Sequence, residues 1–366
     1  MNRGINDMQS LMEHVYHGKR VLVTGHTGFK GSWLSLWLHQ LGAEVMGYAL
    51  EPLNEKDNYL LAGVAELVKD IRGDITDQVK LKKVFKEYRP EIVFHMAAQP
   101  LVRHSFRDPL YTYQVNIMGS LHILELIRNT AETCIGVIVT SDKSYRNREW
   151  IWGYRENDPV GGYDPYSASK GCVEIIASSY MDAFFNQEYY KEHGKTIATA
   201  RAGNVIGGGD WSSDRLMPDC IRALEQNRKI TVRNRHAIRP WQHVLEPLGG
   251  YLLLAAKMYL EGPRYNGPWN FGPSPDNVVP VEQVVEKIIH YWGGGQWEAD
   301  EEVNAPHEAN LLNLDVSKAR FNLGWQPCWS LEATVAKTVE WYKNYKQKNA
   351  RSICLRQIED YMNNIT

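Results

Sequence analysis

No run of about twenty apolar residues, the length a membrane helix needs, occurs in the sequence. The opening stretch MNRGINDMQSLMEHVYHG carries no apolar segment of the secretory kind. Cysteine is scarce. Cys134, Cys172, Cys220, Cys328 and Cys354 are odd in number, widely spaced, and form no CxxC or zinc-like pair. That pattern argues against a disulfide framework and a structural metal, and it points to a reducing, cytoplasmic setting. Neither sign of charge dominates: Lys plus Arg is 41, Asp plus Glu is 43, and the net charge is −2. No global field therefore holds the chain on nucleic acid or an anionic membrane. Internal repeats and low-complexity tracts are also missing.

What is present is an ordinary globular composition, 43% hydrophobic and 23% charged. The 366 residues exceed the roughly 250–300 at which one core stops growing, which predicts two lobes. Apolar runs at Lys19–Gly25, Glu44–Ala49, Leu67–Ile71, Ile92–Met96, Ile135–Thr140 and Thr196–Arg201 read as strands. Between them Ser32–Leu41, Asp77–Tyr88, Asp108 to about Arg128, and Tyr166 to about Tyr190 read as helices. Strands alternating with helices predict a Rossmann-type α/β fold, a doubly wound parallel sheet with helices on both faces. Beyond Gly203 the regularity weakens, which predicts a smaller lobe ending in helices at Leu331–Tyr345 and Ser352–Met362. The expected division is 1–206 for dinucleotide binding and 207–366 mainly for substrate, with about 237–262 returning to the first unit.

Gly25-His26-Thr27-Gly28-Phe29-Lys30-Gly31 follows the first strand and opens the first helix. Glycine lets backbone approach a ligand closely, and a helix N-terminus offers free N–H groups to a pyrophosphate. In the first βα turn of such a fold this spacing is a dinucleotide signature. Ala49 stands where an acid usually reads the adenosine ribose; Glu51 lies two residues on, and no Arg follows the strand to take a 2′-phosphate. The expected cofactor is NAD. Asp74-Ile75, after the third strand, is the candidate for the adenine edge.

Tyr166 and Lys170 stand four apart at a helix start and share one face. A nearby ammonium favours phenolate, so Lys170 is expected to lower the Tyr166 pKa and make it a proton acceptor for an alcohol. His95, in an apolar strand, reads as a packed histidine, and His26 as a residue that shapes the glycine turn.

The strings TGHTGFKG, GDITD, HMAAQP, TSDKSY, DPYSASK and RAGNVIGGGD occur in the order found in the extended short-chain dehydrogenase/reductase superfamily. The sequence resembles that superfamily over about its first 210 residues, and RPWQHVLE at Arg239–Glu246 carries the similarity further. Within it the chain is most similar to the nucleotide-sugar 4,6-dehydratases. The resemblance implies an NAD-dependent lyase of deoxysugar and O-antigen synthesis. It implies cofactor contacts at Gly25, Thr27, Gly28, Phe29, Lys30, Gly31, Asp74, Ile75, Ala97, Ala98, Gln99, Thr140, Tyr166 and Lys170. It also implies a nucleotide-sugar substrate held by Arg103, Ser141, Asn204, Arg215 and Arg239, and a homodimer or higher oligomer.

A dehydratase must remove the sugar C5 proton and expel the C6 hydroxyl. Relatives acting on other nucleotide sugars place Glu after Thr-Asp or Thr-Ser; here Thr140-Ser141-Asp142-Lys143 puts Lys in its place. That departure resembles the CDP-glucose branch. Lys143 is then the C5 base and Asp142 the acid, with Ser141 beside the C4 oxygen. Burial and the Lys170 charge would lower the Lys143 pKa, and a dry pocket would raise that of Asp142. Three rival readings share these motifs: a 4-epimerase or a dehydratase of another nucleotide sugar, a net NAD(P)-dependent reductase, and a non-enzymatic dinucleotide-binding regulator.

Overall fold

The structure is a computed structural model that describes residues 8–299, 311–347 and 349–365. Strand β1 (Arg20–Thr24) is apolar without alternation, and Val21, Leu22 and Val23 are fully buried. A central parallel strand covered on both faces requires that pattern. β2 (Glu44–Ala49) and β3 (Lys69–Arg72) lie to one side of it. β4 (Ile92–His95), β5 (Cys134–Val139), β6 (Lys195–Arg201) and β7 (Gly267–Asn270) lie to the other. The order is β7-β6-β5-β4-β1-β2-β3, and every neighbouring pair is parallel. Winding reverses between β1 and β4, which places a ligand crevice beyond their C-terminal ends.

Alternate residues feed two cores. Val21 and Val23 join a cluster with Trp33, Leu34 and Trp37 of α1 (Phe29–Gln40), whereas Leu22 joins Leu81, Val84 and Phe85 of α2 (Gln78–Tyr88). The second cluster continues into Ile123, Leu124 and Ile127 of α3 (Gly119–Asn129) and Val173 of α4 (Pro165–Ala183). Helix α5 (Leu245–Glu261) is buried along most of its length in the first cluster, together with Ile135 and Val137 of β5.

The six expected strands are present within about two residues of their predicted bounds, and the sheet has a seventh. β7 reads Gly-Pro-Trp-Asn, a turn-like string, and escaped the sequence reading. As the edge strand it tolerates Pro268. The long helix expected from Asp108 is broken. Asp108 caps Pro109–Tyr113, a π-turn follows at Gln114–Met118, and α3 then begins. The helix expected to reach Tyr190 stops at Ala183. There Phe185 turns into the core and Asn186 caps a separate short turn.

The later half adds two-stranded ribbons and helices α6 (Leu331–Asn344) and α7 (Ala350–Met362). These pack onto α1 of the first half and onto α5 and the loop at Asp210. Trp37 Nε1 donates to Met362 Sδ (3.2 Å), Tyr361 OH donates to Glu246 Oε2 (2.9 Å), and Tyr342 OH donates to the Asp210 carbonyl (2.6 Å). Gly208 lies under Trp341 so closely that a Cβ would stand 1.9 Å from its ring.

Candidate active site

At the end of β1 the backbone turns with Gly25 at φ +77°. A Cβ on Gly25 would stand 2.8 Å from the Ala97 nitrogen, and one on Gly31 would stand 2.1 Å from the Gly25 carbonyl oxygen. Both glycines therefore let strand ends and α1 meet. Gly28 caps the helix and is exposed. The first helical bond is from the Ser32 N–H to the Gly28 carbonyl, so the N–H groups of Phe29, Lys30 and Gly31 open onto the crevice. That is a cradle for a pyrophosphate. Thr27 Oγ1 ties it to β2 by donating to the Leu50 carbonyl (3.0 Å). His26 is buried, bonds Asp70 through Nε2 (2.8 Å), and rests on Gly47. His95 bonds Thr24 and Ser120 through its two nitrogens, the packed role expected of it.

At the adenosine end Ala49 is buried and Glu51 is exposed. The expectation that no Arg serves this end is corrected in one respect. Arg72 arrives from neighbouring β3, with Nε 3.5 Å from Glu51 and Nη2 2.9 Å from Asp70. Two carboxylates offset its charge, so the corner is no open 2′-phosphate site. The Asp74 carboxylate accepts from the Thr76 N–H (2.8 Å) and hydroxyl (2.7 Å), and Ile75 is buried against Gly119. Ala97, Ala98 and Gln99 continue from β4. The Gln99 N–H donates to Asn116 Oδ1 (2.8 Å), and Asn116 Nδ2 donates to Ser169 Oγ (2.8 Å).

Facing the cradle, Asp164 caps α4 by accepting from the Ser167 N–H, and Pro165 opens the first turn. Tyr166 and Lys170 are buried one turn apart, and Lys170 Nζ donates to the Val139 carbonyl (3.1 Å). The Ser141 hydroxyl lies within interaction range of Tyr166, and its Oγ donates to Asp142 Oδ1 (2.9 Å). Asp142 is buried with Oδ2 lacking a hydrogen-bond partner; Lys143 beside it is half-buried. This is no surface ion pair.

Burial pushes the Tyr166 phenol up to about 12, the Ser141 hydrogen bond opposes it, and Asp142 adds to the rise. The sequence leads to the expectation of a lowered phenol; within the chain the largest influence is burial, which raises it. Burial lowers Lys170 to about 8 against the pull of Glu174. Lys30 is likewise lowered to about 8, by burial and then by Arg215, with Asp142 and Asp210 opposing. Lys30, Asp142, Lys170, Asp210 and Arg215 therefore share one electrostatic neighbourhood.

Arg215 pairs with Asp210 (2.8 Å) and lies within electrostatic reach of Tyr166, while Arg103 lies 3.9 Å from Asp214. The 210–215 loop thus gathers two of the expected substrate arginines. Asn204 adopts φ +45°, and its carbonyl accepts from the Gln242 N–H. Arg239 sits on a ribbon, Ile238–Pro240 paired with Val278–Pro280, and donates to the Ile238 carbonyl (2.9 Å).

Sequence reasoning missed Asn116, Glu174 and Gly203. Gly203 packs against Asp142; a Cβ there would stand 1.8 Å from Oδ2. Its signal was the Gly-Asn after the sixth strand. Gly203→Ala is expected to displace the Asp142 carboxyl and slow water loss by about 10²-fold, the usual cost of a ~1 Å misplacement. Comparing product formation with retained dinucleotide binding measures this; an unchanged rate would show the carboxyl to be idle.

The GDP-mannose 4,6-dehydratase family model matches residues 22–259. The chain belongs to this family. It is 50% identical to the CDP-glucose 4,6-dehydratase of Salmonella typhimurium, over 97% of this chain and 99% of that protein. Among solved structures it is similar to a dTDP-glucose 4,6-dehydratase from Bacillus anthracis in complex with NAD. That match has a TM-score of 0.73 and 21% identity, covering 90% of this chain and 100% of the other. A UDP-glucose 4-epimerase from Thermotoga maritima with UDP-glucose gives 0.72 at 21% identity, covering 90% and 100%. One fold is thus shared by a dehydratase and an epimerase, so the fold alone does not separate them.

Proposed function

We infer that this family member is an NAD-dependent lyase that converts CDP-glucose to CDP-4-dehydro-6-deoxyglucose and water. The near full-length relative in Salmonella supports the substrate. The observation that carries the chemistry is the buried Asp142 with half-buried Lys143, Asp142 accepting from Ser141, which lies within interaction range of Tyr166. An epimerase needs no such acid–base pair beside its tyrosine.

The cradle fits NAD: open N–H groups of Phe29, Lys30 and Gly31 suit a pyrophosphate, and Glu51 stands beside the ribose end. When bound, the dinucleotide supplies a redox centre that begins and ends the cycle oxidised. Tyr166 takes the proton of the C4 hydroxyl, and Ser141 fixes the C4 oxygen. Lys143 removes the C5 proton, which the C4 ketone acidifies, and Asp142 gives a proton to the departing C6 hydroxyl. Arg215 and Arg103 face the substrate pyrophosphate, a geometry that suits guanidinium. The decisive experiment is incubation with CDP-glucose and the dTDP, UDP and GDP analogues, read by mass. Loss of water from CDP-glucose is expected, without net NADH release. A product altered only at C4 would select the epimerase reading.

The proposed division of labour places cofactor on 1–206 and substrate mainly on 207–366, in a cytoplasmic enzyme. No helix among the described residues is long and apolar enough to cross a membrane. A homodimer is supported by Phe106, Leu110, Met118 and Ile175, exposed apolar residues on and beside the 102–118 segment and α4. Ile175→Glu is expected to shift sedimentation from dimer towards monomer; an unchanged profile would place the interface elsewhere. A 4-keto-6-deoxy product suits deoxysugar assembly of the O-antigen kind.

A further inference from the structure

Two successive turns of α4 grip consecutive residues at the end of β5. Lys170 Nζ donates to the Val139 carbonyl (3.1 Å), and the Glu174 carboxylate accepts from the Thr140 hydroxyl. The second Glu174 oxygen accepts from Thr199 Oγ1 (2.6 Å) and Arg201 Nη2 (2.8 Å). Both partners of this ion pair are buried, with side chains 4% and 3% exposed. The Arg201 guanidinium lies 4.6 Å from the centroid of the Tyr145 ring, whose hydroxyl donates to Asn270 Oδ1 (2.8 Å). Thr140 and Tyr145 bracket Ser141, Asp142 and Lys143. The ion pair therefore touches both ends of the segment that carries the acid–base pair. A buried ion pair is no more stabilising than a packed apolar pair, so stability alone does not account for this one.

We propose that Glu174 is a positioning residue: with Arg201 it clamps the Thr140–Tyr145 segment, and its charge keeps Lys170 protonated beside Tyr166. The inference rests on the dehydratase reading. The titratable groups facing Lys170 include Tyr166 and Glu174 on its own helix, Lys30 from α1, and His95 from β4. Burial holds His95 neutral down to about 3, so it does not titrate alongside Lys170. Arg201, from β6, stands behind Glu174.

The sign follows. Burial lowers Lys170 to about 8 while Glu174 raises it. Removing the carboxylate lowers it further, so the ammonium is lost at lower pH and no longer favours phenolate. C4 oxidation then needs a higher pH.

In Glu174→Gln, the acidic limb of single-turnover NADH formation with CDP-glucose is expected to move up by about one pH unit, with the rate recovering at high pH. A merely structural role would lower the rate by one factor at every pH. Because Glu174→Gln leaves Arg201 unpaired, the double variant Glu174→Gln/Arg201→Met is measured as well; it buries no lone cation and is expected to keep the shift. An unmoved limb in the double variant overturns the proposal and leaves the function reading intact. Absence of NADH formation by the unaltered chain overturns both.

Discussion

Tyr166→Phe is expected to slow C4 oxidation by about 10²–10⁴-fold, the usual worth of a positioned proton acceptor, while nucleotide-sugar binding stays near normal. The ring is buried at the start of α4, so Phe keeps its packing and removes only the hydroxyl within range of Ser141. The phenol sits at about 12 in the chain because burial outweighs its hydrogen bond. C4 oxidation should therefore rise with pH through the neutral range, since each step upward increases the fraction able to accept a proton. Single-turnover NADH formation and equilibrium binding of CDP-glucose, measured side by side, separate chemistry from binding. Normal NADH formation in the variant would take the role from Tyr166.

Lys143→Met is expected to leave C4 oxidation largely intact and to reduce exchange of the sugar C5 hydrogen with solvent by at least about 10²-fold. The side chain is half-buried and follows Asp142 in the short turn Asp142–Ser144. Met preserves length and apolar volume without an amine. Asp142→Asn should show the complementary defect, with exchange retained and water loss slowed. In the unaltered chain, deuterium placed at C4 of the glucose is expected at C6 of the product, and solvent deuterium at C5. Loss of the C4 label to solvent would defeat the dehydratase reading. Unimpaired exchange in Lys143→Met would move the base to another residue and leave that reading standing.

The parts of this site legible in sequence are those whose geometry is local. The glycine spacing at Gly25–Gly31 fixes a turn within one βα unit, and Tyr166 with Lys170 is a helical i, i+4 pair; both stand in the fold as the spacing requires. Asp142 and Lys143 were visible because they immediately follow a strand. What sequence did not reveal depends on which strands become neighbours. Arg72 reaches the Glu51 corner only because β3 pairs with β2, and Gly203 meets Asp142 only because β6 lies beside β5. Glu174 falls on the Tyr166–Lys170 face at i+8, yet its partners Thr199 and Arg201 come from β6. The π-turn at Gln114–Met118 had no local signal, and it carries Asn116 to the loop after β4. The Tyr166 expectation failed for a related reason. A pairwise view counts the nearby cation, whereas desolvation depends on everything packed around the ring.

The seating of α6 and α7 on the 208–210 loop and on the cradle helix bears on how such an enzyme could be re-engineered. Trp341 covers Gly208, Tyr342 holds the carbonyl of Asp210, and Met362 meets Trp37 of the cradle helix. A chimera that grafts everything beyond residue 206 from another family member would replace the Met362 side of the contact with Trp37, while carrying both sides of the other two. The cradle helix would lose its native backing, whereas the loop bearing Arg215 would arrive with its own anchor. Point changes near Arg103 and Arg215, the arginines proposed for the substrate, leave that backing in place.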